Sequence, residues 1–269
     1  MRPVTVKMTI FDPNFVSINT QIMPIHVAIV MPAYNEQECI SEVVRLWTGF
    51  LTTNFPGKIT KLIVINDGSK DQTGQILDQI APQIDNLLVV HQKNGGHGNA
   101  VVNGYRKAIE LQAEYVFQTD SDDQFVADDF NKLWARRSES DFILGHRQVR
   151  FDATARLFIT RILRSTIFLV YGTYIQDSNI PFRLIKGTYL KKLIDQLPVP
   201  EPFAPNIFIA VMARKAGQKL LDIPITHKER LTGTVSILKW NLLKVCFRSF
   251  QELLTFRVEL NEKVRNIKS

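Results

Sequence analysis

Five short apolar runs, each closing on a polar loop, constrain this chain more than any other feature. They are Val27–Met31, Leu62–Ile65, Leu87–Val90, Tyr115–Thr119 and Phe142–Gly145. Runs this short and this apolar suit strands buried on both faces better than helices. Between them lie stretches of helical character. One opens near Asn35, which with Glu38 resembles a capping box, and closes near Phe55-Pro56-Gly57. Others span about Thr73–Ala81 and Gly98–Leu111. Strand and helix alternating through short loops predict an α/β fold, a mostly parallel sheet flanked by helices. In open sheets of this kind ligands bind beyond the carboxyl ends of the strands. The chemistry is therefore expected in the loops that follow the apolar runs.

After residue 150 the pattern changes. Arg156–Tyr171 is apolar with Arg156, Arg161 and Arg164 interspersed, a basic amphipathic pattern. Phe182–Ile185 and Ile223–Ile225 read as short strands. Gly187–Leu197 and Asn206–Ala216 read as helices, with Gly217 just past the second, and Ile237–Asn261 as a long helix. Charge follows the same division. Residues 1–150 carry 14 Lys and Arg against 17 Asp and Glu, and residues 151–269 carry 19 against 9. An acidic half beside a basic half suits a cation on one side and an anionic partner on the other. Cys39 and Cys246 lack metal-type spacing and read as reduced core residues. No signal peptide is visible, and no run reaches the roughly 18 apolar residues that span a bilayer. Ile237–Leu260 is interrupted by Lys239, Lys244, Arg248 and Arg257.

The sharpest chemical signal is Asp120-Ser121-Asp122-Asp123-Gln124, at the end of the fourth run. On a regular strand Asp120 and Asp122 share a face, and Gln124 continues the alternation. Three oxygen donors at a strand end suit Mg²⁺ or Mn²⁺, which keep other positions for water and phosphate oxygens. An isolated pair of this kind is more often a solvated turn; its neighbours reverse that. Pro32-Ala33-Tyr34-Asn35-Glu36 follows the first run, and Asn66-Asp67-Gly68-Ser69-Lys70-Asp71-Gln72-Thr73 the second. In the latter, Gly68 permits a tight turn, Asp67 brings a carboxylate to the sheet edge, and Ser69 can cap a helix. Asn94-Gly95-Gly96-His97-Gly98-Asn99-Ala100 follows the third, where glycines before a helix let backbone N–H groups approach a phosphate or sugar.

In this order and spacing the four loops resemble those of the family-2 glycosyltransferases of GT-A fold, over roughly residues 25–235. The chain is most similar to the polyprenyl-phosphate sugar transferases of the dolichol-phosphate mannose synthase type. That group writes its metal motif as D-x-D-x-Q, matched by Asp120, Asp122 and Gln124. Segments 177–184 and 227–236 resemble its acceptor segments. Departures are His97 where many relatives have lysine, Asn179-Ile180-Pro181 where many have a glycine, and a helix Asn206–Ala216 without the acidic residue many place there.

The resemblance implies an inverting transfer of a hexose from a nucleotide sugar, of GDP-mannose or UDP-glucose type, to a dolichyl or undecaprenyl phosphate. It places the donor on Pro32, Tyr34, Glu36, Asp67, Asn94, Gly98, Asp120 and Ser121, and the metal on Asp120, Asp122 and Gln124. It places the acceptor on Arg183, Lys228, Arg230 and Ser236, with Asp122 and Arg183 at the reaction centre. The expected layout is an extension at 1–24, a GT-A domain at 25–236, and a basic amphipathic helix at 237–269. Within the GT-A domain, 25–150 would be the nucleotide-sugar half and 151–236 the acceptor half. The C-terminal region would face the cytoplasmic side of a membrane, leaving a membrane surface or a membrane-spanning protein as partner. A glycan, lipid or protein acceptor is the nearest alternative, and an idle nucleotide-binding module the alternative from another class. A phosphohydrolase would leave the donor loops unexplained. Nucleic-acid binding is disfavoured, because the cations lie among apolar helical residues rather than exposed stacking aromatics.

Overall fold

The computed structural model describes residues 24–147, 154–228 and 239–269. Seven strands form a single sheet: β1 (Val27–Ala33), β2 (Thr60–Asn66), β3 (Leu87–His91), β4 (Tyr115–Gln118), β5 (Phe142–Arg147), β6 (Arg183–Lys186) and β7 (Leu220–Ile225). Their order is β3-β2-β1-β4-β6-β5-β7. The pairs β1–β2, β2–β3, β1–β4 and β5–β7 are parallel, and β6 runs antiparallel to both neighbours. The chain thus walks outward from β1 to β3, then crosses back to β4 on the far side of β1. That reversal opens a crevice at the carboxyl ends of β1 and β4, where doubly wound sheets bind ligands. All seven residues of β1 are buried, as a central strand covered on both faces requires. Strands from both halves of the sequence share the sheet, and β5 lies between β6 and β7.

The helices are α1 (Ile40–Asn54), α2 (Thr73–Ile80), α3 (His97–Glu110), α4 (Phe130–Trp134), α5 (Thr154–Tyr171), α6 (Gly187–Ile194), α7 (Pro205–Lys215) and α8 (Lys239–Lys268). Two boundaries depart from expectation for physical reasons. Pro32 and Ala33, placed by the sequence in the loop after the Val27–Met31 run, belong to β1. Pairing with β4 ends at Val30↔Gln118, and the last bond on that side is Thr119 N–H to the Val30 carbonyl. Position 32 faces the same side, beyond the end of β4, so its missing N–H costs no sheet bond. The capping box at Asn35 does not form either. α1 opens at Ile40, behind Cys39, without a side-chain cap. Asn35 instead accepts the Lys70 N–H at 2.8 Å, and its own N–H donates to Ser69 Oγ at 3.0 Å.

β4 is clamped by aromatic rings. Phe117 meets Phe130 at 4.9 Å and Phe182 at 4.7 Å between centroids, both edge to face. Phe125 packs on Phe182 at 5.3 Å. Such pairs add about 0.5–1.5 kcal/mol each beyond the area they bury, and they fix both ends of the loop that carries the acidic cluster. The long α8 lies on the body through buried Leu253, Phe256, Leu260 and Ile267. Its Phe256 ring sits 4.9 Å from Phe208 of α7, and Tyr171 of α5 donates to the Leu253 carbonyl.

Candidate functional site

The loops after β1, β2, β3 and β4 meet around a cavity of about 350 Å³. The β1 and β2 loops are laced together. Glu36 N–H donates to Thr73 Oγ1 at 2.8 Å, Gln37 N–H to Asp71 Oδ2 at 3.2 Å, and Gln72 N–H to Gln37 Oε1 at 3.0 Å. Asp71 also receives the Thr73 N–H, and these bonds hold its carboxyl below the usual range although burial opposes them. Ser69 therefore does not cap α2. It donates to Asn66 Oδ1 at 2.6 Å while accepting from Asn35.

Asp67 organises the third loop. It is 2 % exposed. Its Oδ1 accepts from Gln92 Nε2 at 2.7 Å and Gly95 N–H at 2.8 Å, and its Oδ2 accepts from Gly96 N–H at 2.9 Å. Its carbonyl takes Asn94 Nδ2 at 2.9 Å. A single carboxylate thus shapes the glycine turn that leads into α3. Gly68 lets the two loops approach, because a Cβ there would lie 2.7 Å from the Asn94 nitrogen and the backbone holds φ +65°. Buried, multiply bonded and lining the cavity, Asp67 links β2 to the ligand crevice.

The acidic loop supplies the opposite chemistry. Asp120, Ser121 and Asp122 all line the cavity. They are not on a strand, since β4 ends at Gln118 and Asp123 sits at φ 55°. The loop rather than strand alternation brings Asp120 and Asp122 to one space. Gln124 stands apart. Its N–H donates to Asp122 Oδ1 and its side-chain amide to the Lys228 carbonyl, each at 3.3 Å. It does not line the cavity, and its amide nitrogen braces the loop, so any contact with a cation would fall to its Oε1. Two carboxylates of this loop line the cavity, and among the described residues no three His, Cys, Asp or Glu side chains form a metal cage. Hard oxygen donors too few to enclose an ion fit Mg²⁺ or Mn²⁺, whose shells are completed by water and phosphate oxygens.

Of the expected donor residues, Pro32, Tyr34, Glu36, Asp67, Asn94, Asp120 and Ser121 line the cavity. Gly98 does not; it is buried under the 202–203 backbone. The cavity also takes in His97, whose function the sequence left open, and Phe203, which gave no sequence signal beyond a lone aromatic among prolines. Lys228 reaches the acidic loop, with its Nζ 3.3 Å from Asp123 Oδ1 and its N–H on the Gln124 carbonyl at 2.8 Å. Arg230 and Ser236 lie outside the described residues.

Arg183 requires a correction. It was expected to grip an acceptor phosphate, yet it is fully buried in β6, opposite Gln118 of β4. Its guanidinium donates to the carbonyls of Ser178 at 3.1 Å, Ile180 at 2.9 Å and Asn206 at 3.1 Å. Burial lowers its pKa, while Tyr105, Asp177 and Asp120 pull the other way. A group spent on three carbonyls cannot also fork onto a substrate. Arg183 knits β6, the segment before it and the start of α7 together beneath the site.

Fold and cavity together define an α/β protein whose polar, carboxylate-lined crevice lies at the topological switch point of its sheet. The profile of Glycosyl transferase family 2 matches residues 28–196, and the chain belongs to that family. Among curated proteins it is 27 % identical over 218 residues to an undecaprenyl-phosphate 4-deoxy-4-formamido-L-arabinose transferase of Enterobacter sp. (strain 638), covering 80 % of this chain and 63 % of that one. The chain therefore spans less than two thirds of that relative's length. It is also 27 % identical over 204 residues to an uncharacterized protein of Methanocaldococcus jannaschii, covering 72 % and 84 %. Among solved structures it resembles glucosyl-3-phosphoglycerate synthase from Mycobacterium tuberculosis, crystallised with Mn²⁺, UDP-glucose and phosphoglyceric acid. That match has a TM-score of 0.61 at 14 % identity and covers 86 % and 79 % of the two chains. Likeness at that identity speaks for the fold, which is GT-A.

Proposed function

We propose that the chain moves a sugar from a nucleotide sugar to a polyprenyl phosphate, with inversion at the anomeric carbon. The observation that carries the reading is the convergence of Asp67 and its glycine turn with Asp120 and Asp122 on one cavity. The first set suits the nucleoside and sugar, the second the diphosphate. The relative's name supports undecaprenyl phosphate as acceptor. The neighbour's bound UDP-glucose favours a uridine donor over GDP-mannose.

The chain's own part follows from charge. A leaving nucleoside diphosphate develops negative charge, which a divalent cation held by Asp120 and Asp122 would neutralise as a Lewis acid. Asp67 holds the Gly95 and Gly96 amides in place, so the donor meets a formed loop and less ordering is left for binding. An acceptor phosphate oxygen is already ionised near neutral pH, so the site needs no strong base to activate it. With Arg183 withdrawn, Lys228 beside the acidic loop is the described cation nearest this role, and Arg230 and Ser236 stay proposed with it. The test is release of free nucleoside diphosphate by purified protein with undecaprenyl phosphate, compared with undecaprenol and with no acceptor. Release at equal rates in all three would refute the acceptor assignment.

Asp67→Ala is expected to weaken uridine diphosphate binding by tenfold or more in calorimetry, because the glycine turn loses three bonds worth on the order of 1 kcal/mol each. An unchanged nucleotide affinity with only the acceptor KM moved would place Asp67 elsewhere.

The membrane side follows from α5 and α8. No helix among the described residues is long and apolar enough to cross a membrane. Yet Phe168 and Leu169 on α5 and Leu254 and Val258 on α8 are exposed, Leu169 by 81 % and Val258 by 84 %. Arg257 joins the helices through the Val170 carbonyl at 3.1 Å. Apolar side chains among cations suit an anionic bilayer interface. The protein is expected to sediment with vesicles containing anionic phospholipid and to release in high salt. Failure to bind them would refute the interfacial reading of these helices.

A further inference from the structure

Phe203 lines the cavity, yet it comes from the segment between α6 and α7, outside the matched family span. That segment, residues 198–205, is rich in proline and has no sheet or helix bonds of its own before Pro205. Its position must come from side chains. On one side Arg106 of α3 pairs with Glu201 at 2.7 Å. On the other, Glu252 of α8 accepts the Phe203 N–H on Oε2 at 3.0 Å while its Oε1 takes Arg248 Nε at 2.9 Å. Below, the Pro202 and Phe203 carbonyls rest on Gly98, where any Cβ would collide with them. The segment is wedged between the first turn of α3, which begins at the cavity, and the C-terminal helix.

We infer that Glu252 is a positioning residue for the substrate cavity, acting through the Phe203 backbone to set the wall that the nucleotide sugar meets. Resting on the function proposed above, this gives α8 a task in the reaction apart from any contact with a membrane. Both oxygens of Glu252 are engaged, so the carboxylate is fixed by Arg248 before it fixes the loop. The anchor is charge-assisted, and bonds to a charged group are roughly twice as strong as neutral ones. On the same helix, Phe250, Leu254 and Val258 form an exposed row at four-residue spacing. A displacement of α8 at that row would therefore reach Phe203 through one hydrogen bond.

The test is a double-mutant cycle on the full chain, read as the dissociation constants of UDP-glucose and GDP-mannose, each with Mn²⁺. For whichever donor binds, Phe203→Ala and Glu252→Ala are each expected to weaken binding about tenfold, the scale of one lost aromatic contact. The double variant should be no weaker than Phe203→Ala alone, because both changes remove one wall. Glu252→Gln keeps an acceptor for the Phe203 N–H and should recover most of the affinity. Losses that multiply to about a hundredfold would mean that Glu252 acts independently of Phe203, and would overturn the inference. So would Glu252→Ala binding as tightly as wild type. A wild type that binds neither donor would instead remove the functional reading and this inference with it.

Discussion

Asp122→Asn is expected to leave the fold intact and to cut sugar transfer by two to three orders of magnitude, about 2.7–4 kcal/mol of lost transition-state stabilisation. The substitution preserves shape, and the Asn side-chain oxygen can still accept the Gln124 N–H that Asp122 Oδ1 takes at 3.3 Å. What disappears is one of the two carboxylates that the acidic loop brings to the cavity. With a single carboxylate left, a hard cation is held more weakly and the leaving diphosphate is neutralised less. The measurements are the rate of nucleoside diphosphate release and the Mn²⁺ affinity of the protein without substrate, and both should fall. Asp128→Asn is the matched control, since Asp128 is exposed and outside the cavity. Near-wild-type transfer by Asp122→Asn, or wild-type transfer undiminished by excess chelator, would remove the cation from the site.

The sheet was legible because its central strands are covered on both faces and must be apolar throughout, so Val27–Met31 and Leu62–Ile65 stood out without any partner being known. The cavity was legible for a related reason. Loops at the carboxyl edge are free of packing demands, and their polar residues stand out against the runs that precede them. The details failed where a distant partner outcompeted a local one. Asn35 and Ser69 each looked like a helix cap, but they bond to each other's loops across more than thirty residues. Asp120 and Asp122 share the cavity for another reason than alternation, because β4 stops at Gln118, two residues short of the first of them. The direction of β6 could not be read, since a strand of four residues, Arg183–Lys186, carries no mark of its sense. Phe203 had no periodic context at all. Its place depends on Gly98 and Glu252, one more than a hundred residues before it and the other nearly fifty after.

Arg183→Lys is the second large effect, and it separates the buried reading of this residue from the substrate-binding one. Arg183 was expected at the acceptor phosphate because it lies in segment 177–184, which resembles the acceptor segments of the polyprenyl-phosphate sugar transferases. A guanidinium fork also suits phosphate. Here the guanidinium instead bridges carbonyls from Ser178, Ile180 and Asn206, which a planar fork can reach in three directions at once. A lysine ammonium keeps the charge but concentrates its donors at one point. At least one carbonyl would then lose its partner, and the ammonium would be desolvated with incomplete bonding. Each buried group left unsatisfied costs about 1–3 kcal/mol, and more when charge is involved. The expected loss is thus about 3–5 kcal/mol, similar to breaking a buried ion pair and a large part of a typical domain's 5–15 kcal/mol. Arg183→Met should lose at least as much, since all three carbonyls are then orphaned. Urea unfolding of the purified variants is the measurement, with a lower midpoint expected at unchanged slope. If both variants unfolded like wild type and only the acceptor KM rose, Arg183 would belong to the substrate after all. Its bonds to the three carbonyls would then have to be given up whenever acceptor binds.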